Sequence, residues 1–545
     1  MPTCAEVLAR TLRDAGVDRM YGLPGGEILD FIEAARAVGI EFILVRHEAV
    51  AAFMADASGQ IERKPGVCVS TLGPGAVNLT LGVANAFLDR SPLIAITATM
   101  ATNAAPYATH QQLNLNAVFR PFTKDTVTLD GVNTAATVRR LWRTALEPRF
   151  GPVHIALPSD VAKQDERQSH DARNDSWTPA PPPPASPDAI ERMAREIVSA
   201  KRPVVLCGLD LNPYVDAPAV RRFAERLGAP VFVTPKAKGI FPEDHRQFFG
   251  ICSGLAADAV IVDFLERSDL LVGVGFEPVE SDKIWHQTLR LVSIAPTTIA
   301  SGAFKPALEL VGDVTHSLTT LAARQFARSE WSEDDERRFR SDLEVRLTGQ
   351  TKQSDFNVRL LSPLAVTRCL RDLFPPETIV TTDVGSIKLL VSQAWRSTLP
   401  MTFLESNGLS AMGYGLPAAM AAKLSRPDRP VLCTIGDGGF SMVFADLETC
   451  VRRKINVITV VFNDCALSLI EAAQEKRKYE NYGVRYGNVD FAAASAALGA
   501  WSRRANTLDE LTAAVKEAQR IDRPAVIEVP IDPTEYRSHI APLRK

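Results

Sequence analysis

Short apolar runs rich in β-branched residues alternate along the chain with longer stretches in which apolar positions recur at helical spacing. This alternation predicts parallel sheets covered by helices. The runs are GVCVST (66–71), SPLIAITA (91–98) and GPVHIALP (151–158), then RPVVLCG (202–208), APVFVT (229–234) and DLLVGVG (269–275). The last group is ETIVTTD (377–383), RPVLCTIGD (429–437), NVITVVFND (456–464) and RPAVIEVP (523–530). Two breaks separate the groups. TPAPPPPASPD (178–188) is held extended by its prolines and reads as a linker. SEWSEDDERRFRSDLEVR (329–346) is charge-dense, which predicts a solvated helix, and the polar LTGQTKQSD follows it. The expected organisation is a domain over 1–165, a linker over 166–188, a central domain over 189–327, a charged linker over 328–354 and a last domain over 355–545. All three domains read as α/β, doubly wound on parallel sheets, and such sheets bind ligands at the carboxyl ends of their strands.

Composition narrows the class without naming a chemistry. A chain of 545 residues has room for about three or four domains. Acidic residues outnumber basic ones by 64 to 61, a formal charge of −3, so no nucleic-acid footprint or acidic tail is present. Hydrophobic residues at 46% and charged residues at 23% are ordinary soluble usage, and 36 prolines against 32 glycines fit linkers and many short turns. The cysteines at 4, 68, 207, 252, 369, 433, 450 and 465 form no CxxC pair, which excludes a zinc ribbon or a redox dithiol. The N-terminal MPTCAEVLARTLRDAGVD carries charges throughout, and no stretch approaches 18 uncharged apolar residues, so a cytoplasmic protein is expected.

The chemistry concentrates at strand ends. VLCTIGDGGF (431–440) is a buried strand ending in Gly436-Asp437-Gly438-Gly439 before a helical pattern, SMVFADLETCVRR. Glycines there let a diphosphate approach backbone N–H groups at a helix start, although GDGG alone is also an ordinary strand-turn-helix corner. The next strand ends in Asn463-Asp464, 27 residues after Asp437. One helix plus one strand returns a parallel sheet to the neighbouring strand end, so both carboxylates converge on one hard cation in this reading. No Lys-Ser/Thr pair follows the glycines, which excludes a nucleotide P-loop.

With these residues the chain resembles the thiamine diphosphate enzymes of the acetolactate synthase type, whose motif is GDG, about two dozen residues, then NN or ND. The resemblance implies that Asp437, Asp464 and the carbonyl of Ala466 hold Mg²⁺, which grips the diphosphate, with Leu467 beside it. Two carboxylates replace the commoner Asp-plus-Asn pair and still offer oxygen ligands. VRHEAVAAFMAD (45–56) resembles the family's catalytic helix start. Read plainly, Glu48 is a carboxylate favoured by the helix dipole. In the family it hydrogen-bonds the aminopyrimidine ring and promotes loss of the thiazolium proton, a role that needs a desolvated carboxyl. YGLPGGE (21–27), with Gly22, Pro24 and Gly25, resembles the loop facing the reacting carbon, and STLGPGAVN (70–78), ending in Asn78, resembles a second turn of the site. SNGLSAMGYGLPAA (406–419) resembles the loop that bends the cofactor: Met412 is the implied wedge and the Ser410 carbonyl the implied acceptor for the exocyclic amine. Ser410 stands where many relatives have glycine, which raises the question of backbone strain. Asp383-Val384-Gly385-Ser386 is implied to lie near the diphosphate. A loose G-x-G-x-x-A in the same loop lacks the strand and acidic partner of a dinucleotide fingerprint.

THQQL (109–113) with AVFRPFTK (117–124) resembles the catabolic branch and implies His110 and Gln111 as catalytic candidates and Lys124 around the substrate. Ile470 and the small Ala473 are implied to wall the substrate pocket with Gly25, leaving room for a larger acceptor. GFEPVESD (275–282) differs from the G-x-R-F-D-D turn of flavin-requiring relatives, so FAD is not expected. The implied reaction is decarboxylation of a 2-oxo acid such as pyruvate and joining of the remaining fragment to a second carbonyl, by a homodimer at least, possibly a tetramer. Neither nucleic acid nor membrane is an expected partner. The alternatives are a 2-oxo acid decarboxylase or 2-hydroxyacyl-CoA lyase on the same cofactor, or a non-catalytic protein that binds it.

Overall fold

The computed structural model describes residues 1–167, 176–252, 254, 256–280, 289–299, 305–327, 329–348 and 360–540. Ser281 and Asp282 of the central turn, residues 168–175 of the first linker, 328 and 349–354 of the second, and 355–359 and 541–545 of the last domain lie outside the described residues. Two compact units emerge. One comprises Met1–Ala180, Gly408–Pro427 and Val443–Ile455; the other comprises Pro181–Asn407, Asp428–Met442 and Asn456–Lys545.

Three parallel six-stranded sheets carry the fold, flanked by helices. The first holds β1 (Arg19–Leu23), β2 (Glu41–Leu44), β3 (Gly66–Ser70), β4 (Leu93–Thr99), β5 (Thr126–Thr128) and β6 (Pro152–Pro158). The second holds β7 (Pro203–Cys207), β8 (Val231–Val233), β9 (Phe248–Ile251), β10 (Leu270–Val274), β11 (Leu291–Ala295) and β12 (Leu308–Val311). The third holds β13 (Ile379–Thr382), β14 (Phe403–Glu405), β15 (Val431–Gly436), β16 (Ile458–Asn463), β17 (Trp501–Arg504) and β18 (Ala525–Pro530). The first sheet runs β2-β1-β3-β4-β6-β5 and the third β14-β13-β15-β16-β18-β17, the same order when strands are counted within each sheet. Their order reverses between β1 and β3, and between β13 and β15, which is where doubly wound sheets open a ligand crevice. The central sheet differs: β12-β11-β10-β7-β8-β9 is the dinucleotide-fold order, with its switch between β7 and β10.

Each apolar run named from the pattern forms a strand, with ends shifted by up to two residues. The pattern passes over β1, β11 and the edge strands β5, β9, β12, β14 and β17. Three- and four-residue edge strands bury too little to leave a hydrophobic run. Interior strands are buried on both faces: Val204 and Leu206 of β7 join one core cluster while Val205 and Cys207 join another. The charged segment does form a helix, Glu333–Thr348, but it is docked as well as solvated. Phe339 is buried, with its ring 5.2 Å from Phe249 and 4.9 Å from Phe264, an anchor worth about 2 kcal/mol of burial.

Candidate active site

At the switch point of the first sheet, backbone and carboxylate approach closely. β1 runs into Gly22, where a Cβ would lie 2.3 Å from the Val69 carbonyl oxygen, and on to Gly25, where one would lie 2.4 Å from Thr71 Oγ1. The helix Glu48–Glu62 starts after β2, with the Ala49 N–H donating to His47 Nδ1 at 3.1 Å. That helix is apolar nearly all round because the helices Pro74–Leu88 and Gly415–Ser425 both pack on it within the same unit. Glu48, at its first turn, is therefore 5% exposed. Its Oε2 accepts the Asn78 side-chain N–H at 2.9 Å, and a Cβ on Gly75 would lie 3.0 Å from Oε1. Asn78 thus meets Glu48 although they are 30 residues apart in sequence.

At the carboxyl edge of the third sheet, Asp437 follows β15, which borders the switch point, and Asp464 follows the neighbouring β16. Asp437 is buried; its Oδ1 accepts the Gly438 N–H at 2.7 Å and the Tyr486 hydroxyl at 2.8 Å, and its Oδ2 accepts the Cys465 N–H at 2.7 Å. Burial raises its pKa despite these donors. Asp464 Oδ1 accepts the Ala466 N–H at 3.2 Å and Oδ2 the Ser468 hydroxyl at 2.5 Å. Burial, and next the charge of Asp437, push Asp464 up to about 7. Two buried carboxylates, one of them raised by the other's charge, offer oxygens to a hard cation, with the Ala466 carbonyl oxygen nearby. Among the described residues no three His, Cys, Asp or Glu side chains form such a group. Beside β13, Ser386 opens the helix Ser386–Ala394, and its buried Oγ has no hydrogen-bond partner among the described residues. Gly439 is a glycine of necessity, since a Cβ there would lie 2.0 Å from Asp383 Oδ2. Gly436 is open, a Cβ meeting only Ile387 at 3.9 Å. An orphaned hydroxyl, glycine turns and paired carboxylates suit a magnesium diphosphate.

Three family models match: the N-terminal TPP binding domain of the thiamine pyrophosphate enzymes over residues 2–118, their central domain over 190–321 and their C-terminal TPP binding domain over 383–529. The acetolactate synthase of Bacillus subtilis (strain 168) is 31% identical over 536 residues, 97% of this chain and 93% of the relative. The chain belongs to the acetolactate synthase-like thiamine diphosphate enzymes. The catabolic acetolactate synthase of Raoultella terrigena is 30% identical over 544 residues, covering 97% of this chain and 95% of its own. Acetolactate synthase isozyme 1 large subunit of Escherichia coli (strain K12) is 30% identical over 550 residues, covering 98% and 94%.

In this acetolactate synthase-like enzyme the remaining candidates fall in varied surroundings. Ser410 adopts φ +54°, so the residue standing in place of glycine does take the left-handed conformation. Met412 is half-buried. His110 and Gln111 are exposed; Gln111 lies against the turn before Asn78, its Cβ 2.9 Å from where a Gly73 Cβ would sit. Pro24 is exposed in the turn after β1. Lys124 turns to the main chain: its ammonium donates to the carbonyls of Glu147 at 2.7 Å and Arg149 at 2.9 Å, and burial lowers its pKa to about 8. Leu467 caps the helix Ser468–Lys476, whose Ile470 is exposed and Ala473 half-buried. Tyr486 is the group that sequence reasoning misses. Its hydroxyl donates to Asp437 Oδ1 at 2.8 Å and lies 3.3 Å from the Ala466 carbonyl oxygen. A tyrosine in the polar stretch KRKYENYGVRYG has no pattern to single it out.

Proposed function

We propose that this enzyme is a Mg²⁺-dependent carboligase that decarboxylates a 2-oxo acid, pyruvate in the first instance, and joins the retained fragment to a second carbonyl. The observation that carries the reading is the pair Asp437 and Asp464 at adjacent strand ends, each raised by burial and Asp464 also by Asp437's charge. Thiamine diphosphate, when bound, supplies the nucleophilic carbon and the electron sink. Asp437, Asp464 and the Ala466 carbonyl hold the cation, and Ser386 with the Gly436–Gly439 turn and Leu467 receives the diphosphate. Glu48, fixed by Asn78, accepts and returns a proton at its Oε atoms on the pyrimidine side, with Gly22, Pro24 and Gly25 lining the approach. Ser410 and Met412 set the cofactor's bend. His110, Gln111, Ile470 and Ala473 shape the acceptor side, and Lys124 buttresses it through its two carbonyls. The active unit is a homodimer at least, with Glu48 from one chain and Asp437 from the other, and the compartment is the cytoplasm. FAD plays no part; supporting this, the Leu209 and Lys236 N–H groups after β7 and β8 are already spent on Glu280.

The test is purified protein with pyruvate, thiamine diphosphate and Mg²⁺. Acetolactate is the expected product, and acetaldehyde without acetolactate sinks the ligase reading. Glu48→Gln retains cofactor binding and loses turnover by about 10²- to 10⁴-fold.

A further inference from the structure

Beyond the groups that reach the cofactor, we propose that Lys388 is a positioning residue whose buried ammonium fixes the course of the chain from β14 into the loop Ser406–Met412. This rests on the reading above, in which that loop holds the cofactor. β14 is an edge strand, and its pairing with β13 stops at Glu405. Beyond that residue the sheet ladder offers nothing to define where the chain goes. Lys388 supplies an anchor there from the helix Ser386–Ala394. It is 5% exposed, and its Nζ donates to the Ser406 carbonyl at 2.7 Å and Asn407 Oδ1 at 3.0 Å, with Glu405 Oε1 at 3.6 Å.

Glu405 is held rigid in turn. Its side chain takes the Ser392 hydroxyl, and its carbonyl accepts Lys236 Nζ at 3.0 Å. The Ser392 carbonyl accepts Lys238 Nζ at 2.9 Å, and Lys238 pairs with Glu243 at 2.9 Å, all buried. Lys388, Lys238, Glu405 and Glu243 are thereby sunk in one network, joined by the half-buried Lys236, that runs from the central domain to the root of the loop. Burying an ammonium costs several kcal/mol unless excellent geometry offsets it, and apolar residues of the same volume satisfy a purely structural site as well. What an ammonium adds is direction: two consecutive acceptors, at 406 and 407, must face one point. Those two residues precede Ser410 and Met412 by only a few residues.

The experiment measures thiamine diphosphate affinity in the presence of Mg²⁺ by tryptophan fluorescence titration, and kcat and KM for pyruvate at saturating cofactor. Lys388→Met is expected to weaken cofactor binding at least about 10-fold and to lower kcat while KM stays within about twofold. Asn407→Ala leaves the buried ion pair intact, so folding is preserved, and is expected to weaken cofactor binding about threefold; Asn407→Asp, which retains an acceptor, restores it. Unchanged cofactor affinity and kcat in Asn407→Ala, or a loss that Asn407→Asp does not restore, overturns the proposal. Failure of the unsubstituted enzyme to bind the cofactor would instead overturn the reading on which it rests.

Discussion

At the carboxyl edge of the central sheet, Glu280 accepts the Leu209 N–H at 2.9 Å, the Thr234 hydroxyl at 2.7 Å and the Lys236 N–H at 3.1 Å. At the carboxyl edge of the third sheet, Asp437 likewise accepts three donors, yet a second carboxylate, Asp464, stands close enough to raise its own pKa through Asp437's charge. Both sheets are parallel and doubly wound, and both edges lie at a switch in strand order. In the central sheet one carboxylate, Glu280, ties together the turns after β7 and β8 by taking up the Leu209 and Lys236 N–H groups. In the third, two carboxylates stand at neighbouring strand ends, the pair proposed above to hold a cation. On the proposed reading the same kind of scaffold makes a structural knot at one edge and a cofactor seat at the other.

Several measurements break or sharpen this contrast. Asp437→Ala should abolish cofactor binding at any practical concentration, a loss of about 100-fold or more in affinity, whereas Glu280→Ala should leave affinity within about twofold. Equal losses in the two variants would erase the distinction. Glu280→Ala should instead cost about 2–4 kcal/mol of unfolding free energy, because the Leu209 and Lys236 N–H groups are left without their acceptor. Denaturant titration reads this directly.

A pH dependence follows from the same residue. Burial pushes Glu280 up to about 8, above its value in the unfolded chain. The native state then binds the extra proton between those two values, so Glu280's contribution is fully present below pH 4 and is lost as pH rises through 8. The slope reaches at most about 1.4 kcal/mol per pH unit. Glu280→Gln should flatten that part of the stability profile, and an unaltered profile would show that the carboxyl does not titrate there. The smallest effect belongs to Tyr486→Phe. Its hydroxyl sits on Asp437 Oδ1 and close to the Ala466 carbonyl, two of the groups proposed for the cation, so its removal should tighten Mg²⁺ binding about threefold by isothermal titration.

Much of this was legible before any coordinates. Interior strands such as Val431–Gly436 and Ile458–Asn463 are buried on both faces and leave unbroken apolar runs. The edge strands Phe403–Glu405 and Trp501–Arg504 do not, because they are short and one side of each lacks a neighbour. Glu48 is singled out by the family resemblance, Asp437 and Asp464 also by the glycines and strand ends around them, and the fold sets Asp437 and Asp464 at the ends of neighbouring strands. Lys124 was placed by resemblance around the substrate, while in the fold its ammonium is held by two carbonyls more than twenty residues away, at Glu147 and Arg149.

Local order is what the sequence determined alone: three α/β segments, their interior strands, and the strand ends where glycines and carboxylates gather. These follow from periodicity and from the backbone freedom of glycine, both of which act over a few residues. Tertiary structure decided the partners. Asn78 on Glu48, Tyr486 on Asp437, Glu280 across the turns after β7 and β8, and Lys388 under Asn407 all join residues from different elements. A hydrogen bond reaches only about 3 Å, and which groups come within that reach is set by strand order and helix packing, which no local pattern encodes.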